Sequence, residues 1–296
     1  MTHLRLALLL LAATVAATPA AGAPPDYRGY QALLDRYLIP VEAKGEAADS
    51  RFDYKQLFVD QNIWARGTSP LLDSLHVVMF DVRPSTLGPA DRLAWAINAY
   101  NFAVIEAATT HLLIPGHHFQ RYTSVDEIDS QLGGFFDVPR DTVEGHPLSL
   151  TRLERWYCYG DSTPSQWGRR AKGDPRIQFA LCPGFLGGPP LQAHVYTGEK
   201  LQQQLDAAAR SALAQRRIVS AAAGLAVSQY VIERMVDFGD EAGLLKVLQA
   251  YGTPKTRDVI RKRQLHGVNG GAIPLIRTLN LYEAPTTGAP AANTGS

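Results

Sequence analysis

An excess of either charge is missing from this sequence: 29 Lys and Arg stand against 28 Asp and Glu in 296 residues. Neutralising phosphates takes a Lys/Arg surplus, so nucleic acid is not expected as a partner. No polybasic segment is present to hold an anionic membrane surface either. The signature of disorder, low hydrophobicity joined to high net charge, is lacking too, because 46% of residues are apolar and 19% charged. The 25 Gly and 19 Pro are scattered rather than periodic, which excludes collagen-like chains. No internal repeat and no linker divides the chain, and its length suits one domain with a substantial core.

A hydrophobic run long enough to cross a bilayer is also wanting. Leu6 to Ala17 contains only Leu, Ala, Val and Thr, about a dozen residues against the roughly 18 that a spanning helix needs. Arg5 precedes it, and Ala20, Ala21 and Ala23 follow. This is the layout of a secretory signal peptide over residues 1–23, cleaved between Ala17 and Ala23. No Cys follows the run, so a lipoprotein anchor is not indicated; an uncleaved N-terminal anchor is the alternative. Losing Arg5 leaves 28 charges of each sign. The mature chain is therefore expected to be a periplasmic or secreted protein without a stable membrane anchor. Its single domain is expected over 24–283, with a disordered Pro/Thr/Ala/Gly tail over 284–296.

Only two cysteines are present, Cys158 and Cys182. Three readings stand side by side. They form a disulfide worth about 3 kcal/mol by loop entropy, or they are two separately buried thiols, or one is a nucleophile.

Several elements are legible. Tyr30 to Leu38 reads as a helix that Pro40 ends, and a second helical stretch begins at Phe52–Leu57 and breaks near Gly67–Pro70. The clearest helix is Asp91 to Leu112, with Leu93, Ile97, Tyr100, Val104 and Ala108 at three- and four-residue steps. Its other positions are mostly Ala or aromatic, so it is expected to be buried on most sides. Asn98 and Asn101 are unusual there, since an unpartnered buried amide costs about 1–3 kcal/mol. They are expected to bond backbone and fix a loop; a direct ligand role is the second reading. Phe135–Val138 and Asp141–Gly145 read as short strands or turns, and Ser149 caps a helix beginning at Leu148. Gly160 to Gly173 reads as a surface loop, and Arg176–Leu181 as a strand running into a Gly/Pro-rich turn. Glu199–Arg216 and Asp240–Tyr251 read as further helices.

Familiar catalytic motifs are absent. There is no Gly-x-Ser-x-Gly elbow and no phosphate-binding glycine loop. Gly160–Asp161–Ser162 lacks a following Asp-x-x-His, since the chain's Asp73-to-His76 pair precedes it. His111, His117 and His118 lack the spacing of a zinc site and read as a solvated loop. No metal or cofactor is expected.

Phe52–Asp53–Tyr54, Trp95-x-Ile97–Asn98–Ala99–Tyr100–Asn101, Leu148–Ser149–Leu150 with Leu153–Glu154, Asp174–Pro175–Arg176–Ile177, Phe179–Ala180–Leu181, Pro189–Pro190–Leu191 and Tyr196 form a set. Together with the helix Leu201–Arg210, they resemble domain-of-unknown-function family 547, found in bacteria and plants. Typical members read Arg-Ile-His-Phe-Ala-Leu, one residue, Cys, four residues, and Cys before Pro. Laid on this chain, the family His falls on Gln178 and the two Cys on Pro183 and Gly188. The family Glu-His pair falls on Glu154–Arg155. A thiol nucleophile needs a base within reach, and here the thiols and both histidines are missing together. Cys182 is one position off, which on a strand faces its side chain the other way.

The resemblance and the residues lead to one α+β domain, helix-rich, with a small sheet whose strand end carries Cys182 to Leu191. A papain- or transglutaminase-like arrangement is an analogy only. The leading functional expectation is an exported, non-catalytic relative that binds a ligand or protein through an altered cleft. Asn98, Asn101, Gln178, Pro183 and Gly188 frame that cleft, and Arg176 is expected to pair with Glu154. The rival is an exported thiol-dependent hydrolase or acyltransferase using Cys182, with Glu154 and Arg176 as further catalytic candidates.

Overall fold

Helix α5 (Pro89–Thr110) is the axis around which the other elements pack. Pro89 opens it, where a missing N–H costs nothing, and Asp91 suits the positive end of the helix. His111 closes it, with Nδ1 3.0 Å from the Ala107 carbonyl. Every residue from Ala94 to Ile105 is buried, as expected of a helix apolar all round. Trp95 is wholly enclosed; its indole N–H donates to the Met79 carbonyl at 2.7 Å, and its ring meets Tyr157 edge-on. The computed structural model describes residues 22–41, 49–114, 120–161, 173–222, 224–263, 272–274 and 276–277. The N-terminal apolar run, His117–His118, Ser162 and the segment from Ala284 onward lie outside the described residues. Among the described residues no helix is long and apolar enough to cross a membrane.

The N-terminal third wraps α5. Helix α1 (Arg28–Tyr37) meets it through Tyr30, whose ring stands edge-on to Phe102. The chain then enters β1 (Leu38–Val41), antiparallel to β2 (Asp49–Phe52). Pro40 sits inside β1 opposite Ser50, tolerated because a two-stranded ribbon leaves each strand a free edge. Asp53 caps α2 (Tyr54–Asp60), and α3 (Ile63–Arg66) ends at Gly67. Ser69–Pro70 starts α4 (Pro70–Phe80), the Ser69 hydroxyl accepting from the Leu72 amide.

Beyond α5, β3 (Asp141–Val143) and β4 (His146–Leu148) form a hairpin. Its loop residues Glu144 and Gly145 both have positive φ, as a two-residue hairpin turn of the primed type requires. Ser149 caps α6 (Leu150–Arg152), which runs directly into a π-helical segment, Leu153–Cys158. After α7 (Ile177–Ala180) comes α8 (Leu201–Leu213). Strand β6 (Ala226–Ser228) then pairs antiparallel with β5 (Val219–Ser220) and parallel with β7 (Ala272–Ile273). Helices α9 (Gln229–Glu233), α10 (Met235–Phe238), α11 (Glu241–Tyr251) and α12 (Pro254–Arg263) complete a helix-rich α+β domain. Asp240 caps α11 through the Gly243 amide.

One element differs in kind from the sequence reading. Ile177, Phe179 and Leu181 alternate like a strand, yet Ile177–Ala180 is a single helical turn, buried on all sides. The turn is set by Asp174–Pro175: the Asp174 carboxylate accepts from the Arg176 amide, and its carbonyl accepts from Ile177. The residues from Cys182 to Leu191 therefore follow a helical turn rather than a strand end, and the described strands fall into three small sheets.

His76 on α4 ties α5 to β3. Its Nδ1 hydrogen-bonds Glu106 at 3.0 Å, and Nε2 lies 3.0 Å from Asp141, close enough for an ion pair but not aligned as a hydrogen bond. The bond to Glu106 raises the His76 pKa, and burial lifts the Asp141 carboxyl to about 6 against the pull of His76. Both folded-state values exceed their ordinary ones, so both groups stabilise the fold at low pH. Asp141 loses that contribution between about pH 4 and 6, and His76 above about 6.5. Asp141→Asn is expected to remove on the order of 3 kcal/mol of the fall in stability from pH 4 to 7. Urea midpoints across that range read it directly; an unchanged slope would mean that Asp141 titrates as an exposed carboxyl.

Candidate functional site

Asn98 and Asn101 stand one turn apart on α5, both buried. The Asn98 amide donates to the Tyr196 carbonyl and accepts from the Tyr196 N–H, each at 2.8 Å. Asn101 donates to the Ala180 carbonyl at 3.0 Å and accepts from the Cys182 N–H at 2.8 Å. A neutral carboxamide carries a donor and an acceptor side by side, so it can stand in for a missing ladder partner. These two brackets suspend both ends of the Gly/Pro-rich segment from the central helix.

Within that segment Gly184 has φ +78°, and a Cβ there would lie 2.8 Å from Val104 Cγ1, so only glycine fits. Pro183 and Gly188, where the resemblance places two Cys, touch one another. A Cβ on Gly188 would lie 2.6 Å from Pro183 Cγ. The chain thus brings together the two positions at which the resemblance places thiols, and fills them with a proline ring against a bare Cα.

Cys158 and Cys182 are both buried and free, so the disulfide reading is corrected. Burial pushes the Cys182 thiol up to about 11, only partly offset by a bond from the Gly184 amide. Among the described residues, the charged groups that shift it most are Arg217, Asp49 and Arg51. The Cys158 thiol is likewise raised by burial.

Gln178 is the hub of a buried polar network. Its Nε2 lies 2.6 Å from Tyr159 Oη, 2.7 Å from Asp237 Oδ2 and 3.2 Å from Glu154 Oε1, so two N–H bonds serve three acceptors. Tyr230 Oη donates back to the Gln178 carbonyl at 3.2 Å. Arg155 forks onto Asp237 at 2.7 and 3.1 Å and lies 3.6 Å from Glu154. Burial raises the Asp237 carboxyl above its ordinary value despite that arginine. The π-helical turn makes the geometry work: Glu154 and Tyr159, five residues apart, are bonded as successive turns (Tyr159 N–H to Glu154 carbonyl, 3.2 Å) and both reach Gln178.

Arg176 does not join this network. It bonds Asp174 and reaches Asp206 and Gln202 on α8, so the expected Arg176–Glu154 pair is replaced by a clamp between α7 and α8. The nearer Asp174, two residues away, takes the guanidinium first.

Beside the hub opens a cavity of about 280 Å³. Glu154, Arg155, Glu233 and Arg234 line it with Phe136, Thr151 and Phe185, and the part-exposed Arg277 stands at its mouth. A larger groove of about 590 Å³ lies along residues 192–197. Its glutamines Gln31 and Gln204 are engaged in holding that segment's backbone. Among the described residues no group of three or more His, Cys, Asp or Glu is placed to hold a metal ion.

Tyr230, Arg234, Asp237 and Arg277 escaped the sequence reading. A signal was present: Glu233, Arg234 and Asp237 interrupt the apolar stretch Tyr230–Phe238, where a charge must find a partner or a ligand. The family model described as "Protein of unknown function, DUF547" matches residues 84–212. No curated protein and no solved structure matches the chain. The match takes in both asparagine brackets, Glu154, Tyr159 and Gln178, and the cavity's Arg234 and Arg277 lie beyond it. Residues 84–212 are a domain of the DUF547 family.

Proposed function

We propose that this chain is an exported, non-catalytic member of its family that binds a ligand through the altered cleft. The observation that carries the reading is Gln178. It occupies the place of the family histidine, cannot take up a proton near neutral pH, and is committed to Tyr159 and Asp237. Pro183 and Gly188 offer no thiol, and Cys182, the one cysteine of the segment, is held as a buried, neutral thiol. Nucleophilic catalysis needs the reverse, a thiolate poised beside a base. The N-terminal run Leu6–Ala17 with its small-residue flank supports export.

Timed alkylation of the protein recovered from the periplasm or medium tests both parts. The recovered chain is expected to begin between Ala17 and Ala23 by mass. Neither Cys158 nor Cys182 should react with iodoacetamide in the folded protein near pH 7, and both should react after unfolding. One thiol reacting rapidly while folded, with a midpoint well below the ordinary value of about 8.5, would restore the hydrolase or acyltransferase reading with Cys182 as nucleophile.

A further inference from the structure

We propose that the cavity beside Gln178 takes a small organic carboxylate with an apolar body, its carboxylate held by Arg234 and Arg277. The proposal rests on the non-catalytic reading and names the ligand class of the same cleft. Arg234 is the group that calls for a ligand. Its guanidinium stands 4.0 Å from the centre of the Tyr230 ring and lines the cavity, the residue as a whole being part-buried. Among the described residues its side chain makes no hydrogen bond and no ion pair. Glu154 and Asp237 act on it only at longer range. Three other enclosed arginines each have a carboxylate partner: Arg155 has Asp237, Arg217 has Asp49 and Arg140 has Asp129. Five N–H bonds in a rigid fork, stacked so that their edges stay open, suit a planar two-oxygen acceptor.

Charge decides which acceptor. Arg155 already faces Asp237 and Arg277 faces Asp126, so among the described residues Arg234 is the one guanidinium of the wall without a carboxylate in ion-pair contact, with Glu154 and Glu233 nearby. A monoanion matches that single guanidinium, whereas a doubly charged phosphate overshoots and meets Glu154 and Glu233. Arg277 stands at the mouth, 2.9 Å from Asp126 and 3.7 Å from Glu233, over the face of Phe185. Phe136 and Phe185 meet edge-on and supply an apolar wall for the rest of the ligand. A volume near 280 Å³ restricts that ligand to a small molecule.

Calorimetric titration of the mature chain with benzoate, hexanoate and 3-phenylpropanoate tests this, with 3-phenylpropanamide and inorganic phosphate as controls. At least one carboxylate is expected to bind, with amide and phosphate weaker by on the order of tenfold or more. Arg277→Gln, at the cavity mouth and outside the Gln178 network, should lower carboxylate affinity by a similar factor while melting like the wild type. Arg234→Lys, which keeps the charge and loses the fork, should do the same. Binding by none of the three acids, equal binding of acid and amide, tighter binding of phosphate, or an Arg277→Gln variant with unchanged affinity would each overturn the proposal. A fast-reacting Cys182 alongside intact carboxylate binding would overturn the non-catalytic reading alone.

Discussion

Asn101→Ala is expected to destabilise the fold by roughly 2–6 kcal/mol, a large share of the 5–15 kcal/mol that holds a typical domain. The substitution strips a donor from the Ala180 carbonyl and an acceptor from the Cys182 N–H, both at a site closed to solvent. Each orphaned buried group costs about 1–3 kcal/mol, and the void left by the carboxamide adds to that. Asn101→Asp separates the hydrogen bonds from the packing. It can still accept from Cys182, but at neutral pH it turns a carboxylate toward the Ala180 carbonyl. Its loss should match that of alanine at pH 7 and shrink in acid, where a protonated Asp donates again. Urea denaturation reads all three proteins. A loss under about 1 kcal/mol for Asn101→Ala would mean that water replaces the bracket.

Gln178→Glu should cost about 4 kcal/mol at pH 7 and only about 1 kcal/mol at pH 5. The change conserves shape and places a third carboxyl against Asp237 and Glu154, which lie 2.7 and 3.2 Å from the present Nε2. If ionised, it would repel each neighbour by about 5 kcal/mol at an effective dielectric of about 20. Taking up a proton is cheaper. Keeping a carboxyl of ordinary pKa about 4.3 neutral at pH 7 costs about 1.4 kcal/mol per unit, which sets the ceiling near 4. The introduced group has a raised folded-state pKa, so stability returns as pH falls toward about 4.3 and is lost as pH rises. Urea midpoints at pH 5 and 7 decide the matter. A penalty independent of pH would assign the damage to packing, and the hub would be less tightly coupled to its carboxylates than its distances indicate.

The central helix and its two odd asparagines were legible because an amide inside an apolar stripe demands a partner, and backbone is the commonest one. One cap was equally plain: Ser149 precedes its helix and accepts the expected amide hydrogen. The turn at Ile177–Ala180 was misread because one turn buried on every side carries no 3.6-residue signature, and its alternating apolar residues imitate a strand. Asp174–Pro175 held the better signal. The π-helical segment had no mark at all, since Leu153–Cys158 reads like any amphipathic stretch. Charge pairing failed at Arg176 for a related reason: composition shows that a guanidinium needs a carboxylate, not which of several the fold delivers. The cavity arginines come from a part of the chain remote from the family landmarks, so only the fold could bring Arg234 to Glu154.

The two asparagine brackets grip main-chain atoms alone. Whatever side chain other than proline's stands at positions 180, 182 or 196, the same carbonyls and amides are offered to Asn98 and Asn101. Support of the segment and the chemistry of its side chains therefore rest on different residues. A proline at 183, a glycine at 188 or an amide at 178 leaves every contact of the two brackets in place.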